Sequence, residues 1–540
     1  MLKYLAGLLG AYSLALVAIA GPWGFSGDAW WVFSFGYYYR PLNAIYAGAE
    51  NLHRPMEVVY WISLYELFGP QEIIFQLGSL MLAAVAAWLM ASTLSLAFPQ
   101  QKLWAGLAGL MAFFLPSVAG TTYLMQMDNG RLQMAFFWAG ALTWVWCLKT
   151  GRALWWGLLP FGFCILGNLS YESGVLLPLT LPLLAWGMGT ENRWPRRQWM
   201  GVSVLGIGLC MGVFLLFRFV IFQGGAVEQR SWIPPLSNYA DYTTQMLDGL
   251  WAVWQLPYRD AASLLLSLGL GLGAGLILWP RGEEPGLIPA RQDRAWLLMA
   301  LAVFYFGALP YFLAGGDNYL QGGGFVGPNR VYSSGGYGAA MLIIWVLMRG
   351  GWKPGLGLCL ALISLSALYH SGQHRDYQAA AVERQSQLGQ VLALVPEVQP
   401  KTTLLLLNFH QSPVISGETG TNLFFRMLYD DPSIWAHFAY LEDEAFRDSE
   451  FRRMEVGPEG ILARGRQGNP PAQPDELLIL YLRAGQVWLL ECIGPQDLVD
   501  GYPLAAAWQV ETPLCSQPGR ILPATPASQA HQRPFLGMGD

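Results

Sequence analysis

Five groups of charged residues in this 540-residue chain could do chemistry together if the fold brought them to one place. They are Asp28 in GFSGDAWW; Arg40 in YYYRPLN, with His53, Arg54 and Glu57 close behind; Asp128 and Arg131 in MQMDNGRLQ; Glu172 in LSYESGVLLP; and Asp317 with Arg330 in GGDNYLQGGGFVGPNR. A carboxylate at a dry boundary can take a proton from an incoming hydroxyl when its pKa and reach allow. Arginine offers phosphate oxygens a permanently charged, two-pronged fork. Together they suit attack on a group linked to a lipid phosphate, with arginine holding the departing phosphate. Asp28, Asp128 and Glu172 are therefore the candidate catalytic carboxylates, and Arg40, His53, Arg131, Asp317 and Arg330 the candidate substrate-binding residues. Each also has a plainer reading: Asp28 as a helix cap, the others as interhelical ion pairs or headgroup contacts.

The elements that must position these residues are membrane helices. The chain is 54% hydrophobic and 12% charged, about half the charge of an ordinary soluble domain. Apolar runs of roughly 20 residues, long enough to cross a hydrocarbon core of about 30 Å, recur through residues 1 to 372. They fall near 5–24, 71–97, 103–124, 132–149, 153–170, 172–189, 198–222, 260–279, 294–314, 331–349 and 354–371, predicting about 11 transmembrane helices, the first retained rather than cleaved. With the N-terminus inside, the loops carrying Lys3, Lys102, Lys149, Arg152, Arg193, Arg196, Arg197, Arg281, Arg291, Arg294, Arg349 and Lys353 all lie on the cytoplasmic side, as the positive-inside bias requires. The five charged groups then share the opposite side. Outer segments 55–68 and 242–256 mix apolar and polar positions at helical spacing and read as interfacial helices.

Residues 373–540 have another character. The formal charge of −5 divides unevenly, with the excess of acid confined to this tail. A helix leaving the membrane and stopped by Pro396 and Pro400, strands at 401–409, 477–482 and 486–492, and a helix near 419–429 predict a small extracytoplasmic α/β or α+β domain. The Pro-rich stretch 518–540 reads as a loose extension. Cys492 and Cys515 could form a disulfide there, while Cys147, Cys164, Cys210 and Cys359 read as buried filler in apolar spans. An acidic tail excludes a nucleic-acid partner, although the domain could hold protein partners. The Gly-rich segment before Arg330 lacks the Gly-Lys-Ser/Thr ending of a nucleotide phosphate loop. No cofactor is required by these motifs, and a divalent metal stays open because three oxygen ligands cannot be assigned.

Three stretches resemble the GT-C superfamily of integral-membrane glycosyltransferases, particularly bacterial relatives of the protein O-mannosyltransferase type. Asp28 follows the first span, and YYYRPLNAIYAG is similar to the Tyr-Arg-Pro-Leu stretch of those enzymes, followed by an amphipathic helix ending at Leu67, Phe68 and Gly69. LSYESGVLLPLTLPLL keeps Glu172, with Tyr171 in the family's basic position. PNRVYSSGGYGAAMLI keeps Arg330, with Asn329 in place of an acid. The resemblance spans about residues 1 to 372. It implies transfer of a sugar from a polyprenyl-phosphate donor to a hydroxyl acceptor at the outer face of a bacterial inner membrane, with Asp28 as base and Arg330 and Arg40 at the donor phosphate. Where such enzymes carry an acidic pair in the first outer loop, no acid adjoins Asp28, leaving Asp128 as second carboxylate or the site altered. Two other readings stay open: a noncatalytic scaffold derived from such a fold, and a lipid or solute transporter, which would favour pseudo-symmetric halves.

Overall fold

A computed structural model describes residues 2–20, 27–45, 54–115, 128–217, 236–254, 261–278, 289–310, 332–407, 409, 418–439, 454–457, 460–463, 473–494, 498–499, 502–503 and 513–536. The chain divides into two units. The first comprises Met1–Gly21, Leu42–Leu64 and Ile73–Asp376; the second comprises Pro22–Pro41, Tyr65–Glu72 and Tyr377–Asp540.

Lipid offers the backbone no hydrogen-bond partner, so an apolar run that enters it must close its own bonds as a helix. A helix overlaps each of the eleven expected segments: α1 (Leu2–Ala20), α4 (Glu72–Ala97), α5 (Lys102–Phe114), α6 (Asp128–Thr150), α7 (Leu159–Ser170), α8 (Leu181–Met188), α9 (Arg196–Leu215), α11 (Ala261–Leu278), α12 (Ala290–Phe306), α13 (Tyr332–Arg349) and α14 (Trp352–Leu394). The intervening α2 (Gly27–Tyr38), α3 (Pro55–Phe68) and α10 (Leu236–Trp254) belong to the stretches read as outer. Among the described residues, five segments are long and apolar enough to cross a bilayer: α4, Glu172–Glu191 (which contains α8), α9, α11 and α14. The protein is thus a polytopic helical membrane protein. One expectation is corrected: the last span and the helix leaving it are a single 43-residue helix, α14, ending two residues before Pro396.

Small residues let the helices of the first unit approach closely, as in other membrane bundles. A Cβ added at Gly109 of α5 would lie 2.6 Å from the Ala87 carbonyl of α4, and one at Gly338 of α13 would lie 2.3 Å from the Phe304 nitrogen of α12. Buried indoles find backbone acceptors, Trp144 donating to Leu181 at 3.0 Å and Trp296 to Met341 at 3.1 Å. Contacts at the helix ends set α4 parallel to α6 and α12 antiparallel to α13. Lys149, ending α6, reaches the Leu96 carbonyl at the end of α4, and Arg349, ending α13, pairs with Asp293 at the start of α12.

The second unit holds strands β1 (Glu397–Val398), β2 (Thr403–Leu407), β3 (Trp435–Ala439), β4 (Met454–Gly457), β5 (Gly460–Ala463), β6 (Leu477–Arg483) and β7 (Gln486–Leu490), four of which form a sheet ordered β3-β2-β6-β7. Strand β2 lies parallel to both β3 and β6, and α15 (Glu418–Leu428) joins β2 to β3. Flanked on both sides, β2 is buried at all five positions. Strand β7 returns antiparallel through a two-residue turn in which Ala484 (φ 48°) and Gly485 (φ 75°) are both left-handed, the geometry that matches strand twist. Cys492 and Cys515 stand opposite each other on a short antiparallel pair and are joined by a disulfide. Of the stretch expected to be a loose extension, the described part, 518–536, is ordered into elements: Ile521 and Leu522 pair with Val398 and Glu397, and Thr525 and Ser528 cap a helix, α16 (Pro526–Gln532), reciprocally. Helix α2 belongs to this unit and packs on α15, with Tyr37 Oη donating to Asp430 Oδ1 at 2.5 Å.

Candidate functional site

Within the first unit, the helix ends expected to share one side are connected by polar side chains. Arg54 precedes α3; its Nε and Nη2 donate to the two carboxylate oxygens of Glu172 at 2.8 and 2.9 Å, a bidentate fork between residues 118 positions apart. The guanidinium also lies over the Tyr171 ring, 4.5 Å from its centroid. The resemblance places a basic residue where Tyr171 stands; here Arg54 brings the positive charge to Glu172 from elsewhere in the chain. Burial works against the Arg54 charge, but the adjacent Glu172 carboxylate more than offsets it and drives the guanidinium pKa up.

In the first turn of α3, Glu57 Oε2 lies 3.7 Å from Arg54 Nη1 and accepts from Asn129 Nδ2 at 3.5 Å. Its side chain is buried, and burial pushes its carboxyl up to about 8, with Arg54 pulling the other way and Glu172 and Asp128 adding to the rise. At neutral pH, Glu57 is therefore mostly protonated, leaving Arg54 balanced by one carboxylate, Glu172.

Asp128 and Arg131 occupy the first turn of α6, three residues apart and hence on one face. They form an ion pair sealed from solvent, with side chains 1% and 2% exposed. Asp128 Oδ1 also accepts from Ser79 Oγ of α4 at 2.6 Å. Asp128 Oδ2 and Arg131 Nε and Nη2 have no hydrogen-bond partner among the described residues. Next to them, Gln133 straps three segments together. Its Nε2 donates to the Tyr171 carbonyl at 2.6 Å, and its Oε1 accepts from Ser173 Oγ at 2.8 Å and Ser334 Oγ at 2.9 Å. Gly174 gives this amide room, since a Cβ there would sit 1.8 Å from Gln133 Nε2.

The candidates fare differently. Asp128, Arg131 and Glu172 come into one polar layer, but as two ion pairs rather than as facing carboxylates. Asp28 lies in the first turn of α2, in the second unit; its side chain is outside the described set. Arg40, also in the second unit, is exposed just beyond α2. His53, Asp317 and Arg330 lie outside the described residues. Among the described residues, no three His, Cys, Asp or Glu side chains converge as metal ligands. Sequence reading grouped Arg54 and Glu57 with Arg40 and His53 without choosing them, although their i,i+3 spacing at the start of an amphipathic helix was visible. It missed Ser79, Gln133, Ser173 and Ser334, for which the usable signal was a polar side chain one or two turns inside an apolar run.

No protein-family model and no curated protein matches the chain. Four chains of solved structures match. One is ArnT from Cupriavidus metallidurans bound to undecaprenyl phosphate, 14% identical, with a TM-score of 0.30, the match covering 72% of this chain and 76% of that one.

Proposed function

We propose that the protein is a glycosyltransferase of the GT-C type, moving a sugar from a polyprenyl-phosphate donor to a hydroxyl acceptor at the extracytoplasmic face of a bacterial inner membrane. Eleven membrane crossings would put residues 373–540 on that face. The observation that carries the reading is the Arg54–Glu172 fork. Ionisable residues within a membrane bundle are functional candidates by default, and of the two ion pairs in this layer only Arg54–Glu172 is accessible, its side chains 19% and 38% exposed. A carboxylate in a guanidinium fork occupies the geometry of a phosphate. Donor phosphate would displace Glu172 and take both N–H bonds, while protonated Glu57 beside it offers a hydrogen-bond donor without adding charge. Among the described residues, Arg131 retains unpartnered N–H groups in the same layer. Asp28 is the proposed base for the acceptor hydroxyl, on the strength of its sequence position, and Arg330 and Arg40 are further phosphate ligands.

The test is donor affinity in purified protein presented with polyprenyl-phosphate sugars. Arg54→Ala should weaken donor binding about tenfold or more, and Glu172→Gln, which frees the fork, should strengthen it. Asp28→Asn should bind donor as the wild type does and fail to turn it over. Unchanged donor affinity in both Arg54→Ala and Glu172→Gln rejects the fork as the phosphate site. A second reading, a noncatalytic scaffold, is favoured by the Asp128–Arg131 pair, whose mutual neutralisation fits a structural use of this layer. It predicts no turnover of any donor by the wild type and co-purification of a partner protein that depends on residues 373–540.

A further inference from the structure

At the opposite end of the first unit, a cavity of about 430 Å³ opens among Trp186 of α8, Asn192 and Trp194 of the following loop, Arg196 and Trp199 of α9, and Arg291 of α12. Helix α6 runs between the two levels, from Asp128 to Thr150, separating them by roughly 30 Å. The cavity thus lies near the other boundary of the bilayer.

Among the described residues, no carboxylate compensates its charge. Arg291 is fixed through Nε, which donates to the Trp186 carbonyl at 2.6 Å, and its guanidinium carbon is 5.8 Å from the centroid of the Trp186 ring. That leaves both Nη groups facing no acceptor among the described residues. Arg196 is exposed at the start of α9 and meets no carboxylate among the described residues. The nearby described acids are committed elsewhere, Glu191 to Lys149 at 3.2 Å and Asp293 to Arg349 at 2.8 Å. Two cations in the first turns of two helices also face the positive ends of the helix dipoles, an arrangement that a bound anion relieves. The walls are indoles: Trp194 is buried and anchored through Nε1 to the Arg152 carbonyl at 3.0 Å, and Trp186 and Trp199 are half-buried. Aromatic walls at the depth where apolar helices begin match the headgroup level of a membrane, and the volume is ordinary for a small-ligand site.

We propose that this cavity binds the phosphate of an anionic membrane lipid, with Arg196 and Arg291 as its two guanidinium ligands and the indoles against the glycerol and upper acyl chain. The proposal does not depend on the transferase reading. Phosphate is the recognised group, and the apolar walls assign it to a lipid rather than to the free ion.

The experiment uses the full-length protein in nanodiscs or detergent, with native mass spectrometry and thermal shift as readouts. Phosphatidylglycerol should be retained and stabilising, and phosphatidylcholine and inorganic phosphate at matched concentration should not. The double variant Arg196→Gln/Arg291→Gln should weaken phosphatidylglycerol retention about tenfold. Arg197→Gln removes an equal charge from the same helix start without touching the cavity and should change retention less than twofold. Equal retention by wild type and double variant overturns the proposal. So does an Arg197→Gln loss as large as that of either cavity arginine alone, which would mean diffuse surface attraction, and so does equal stabilisation by inorganic phosphate, which would make the ligand a free ion.

Discussion

At the scale of single residues, Glu57 in the polar layer of the first unit is a group whose protonation should affect stability. Glu57 ordinarily titrates near 4.5 and is pushed to about 8 by burial. The folded state therefore keeps a proton that the unfolded chain releases above pH 4.5. By linkage, stability is fully present below that value and falls as pH rises toward 8. The thermal midpoint in detergent should accordingly drop between pH 5 and 8, and Glu57→Gln, which is neutral throughout, should flatten that drop and be the more stable form at pH 8.5. Parallel pH curves for the two proteins would contradict a neutral Glu57. The Asp128–Arg131 pair behaves differently because both charges are buried. Removing one partner strands the other, at a typical cost of about 3–5 kcal/mol, whereas replacing both by apolar residues of similar volume is often near neutral. Asp128→Leu and Arg131→Met should each lower the melting temperature sharply, and the double variant should recover most of the loss. Additive losses would mean that the two residues are held by other partners.

At the scale of elements, close helix approach at glycine is the local device that sets the bundle. At Gly338 a new Cβ meets backbone atoms of α12, which cannot rotate away, at 2.3 to 2.7 Å, whereas at Gly208 of α9 it meets nothing within 4 Å. Gly338→Ala should therefore cost about 1–3 kcal/mol through overpacking, and Gly208→Ala should be neutral or slightly stabilising through helix propensity. Comparable melting temperatures for the two variants would refute tight α12–α13 packing. The helices themselves were legible in the sequence because lipid enforces one backbone solution on any apolar run. The hairpin of β6 and β7 was legible because Ala484 and Gly485 punctuate it. What could not be read were pairings without local pattern. Nothing within residues 22–41 announces that Tyr37 will bond Asp430, and nothing in a Pro-rich terminus announces that Ile521 will pair with Val398. The same holds for the site: Asp128 with Arg131 is an i,i+3 pair visible on paper, but Arg54 choosing Glu172 depends on the ends of α3 and α7 meeting in space.

At the scale of the whole molecule, the charges fall on two levels at opposite ends of α6. One level holds Arg54, Glu57, Asp128, Arg131 and Glu172; the other holds Lys149, Arg291, Arg349 and the cavity beside Arg196 and Arg291. Excess Lys and Arg in short loops favours the cytoplasmic side because basic loops resist translocation, so the second level should be cytoplasmic and the first outward. An odd number of crossings would then put the disulfide-linked Cys492 and Cys515 in an oxidising compartment, where such a bond persists. Orientation is tested by impermeant thiol labelling in cells. Lys353→Cys, exposed at the start of α14, should label only after the membrane is opened. Cys492, exposed once its bond is cut by an impermeant reductant, should label in intact cells, and the four buried cysteines of the spans should label in neither. The reverse pattern would turn the molecule over, putting the Arg54–Glu172 fork on the cytoplasmic side. Labelling of both positions from outside would mean that the number of crossings between the start of α14 and Cys492 is even.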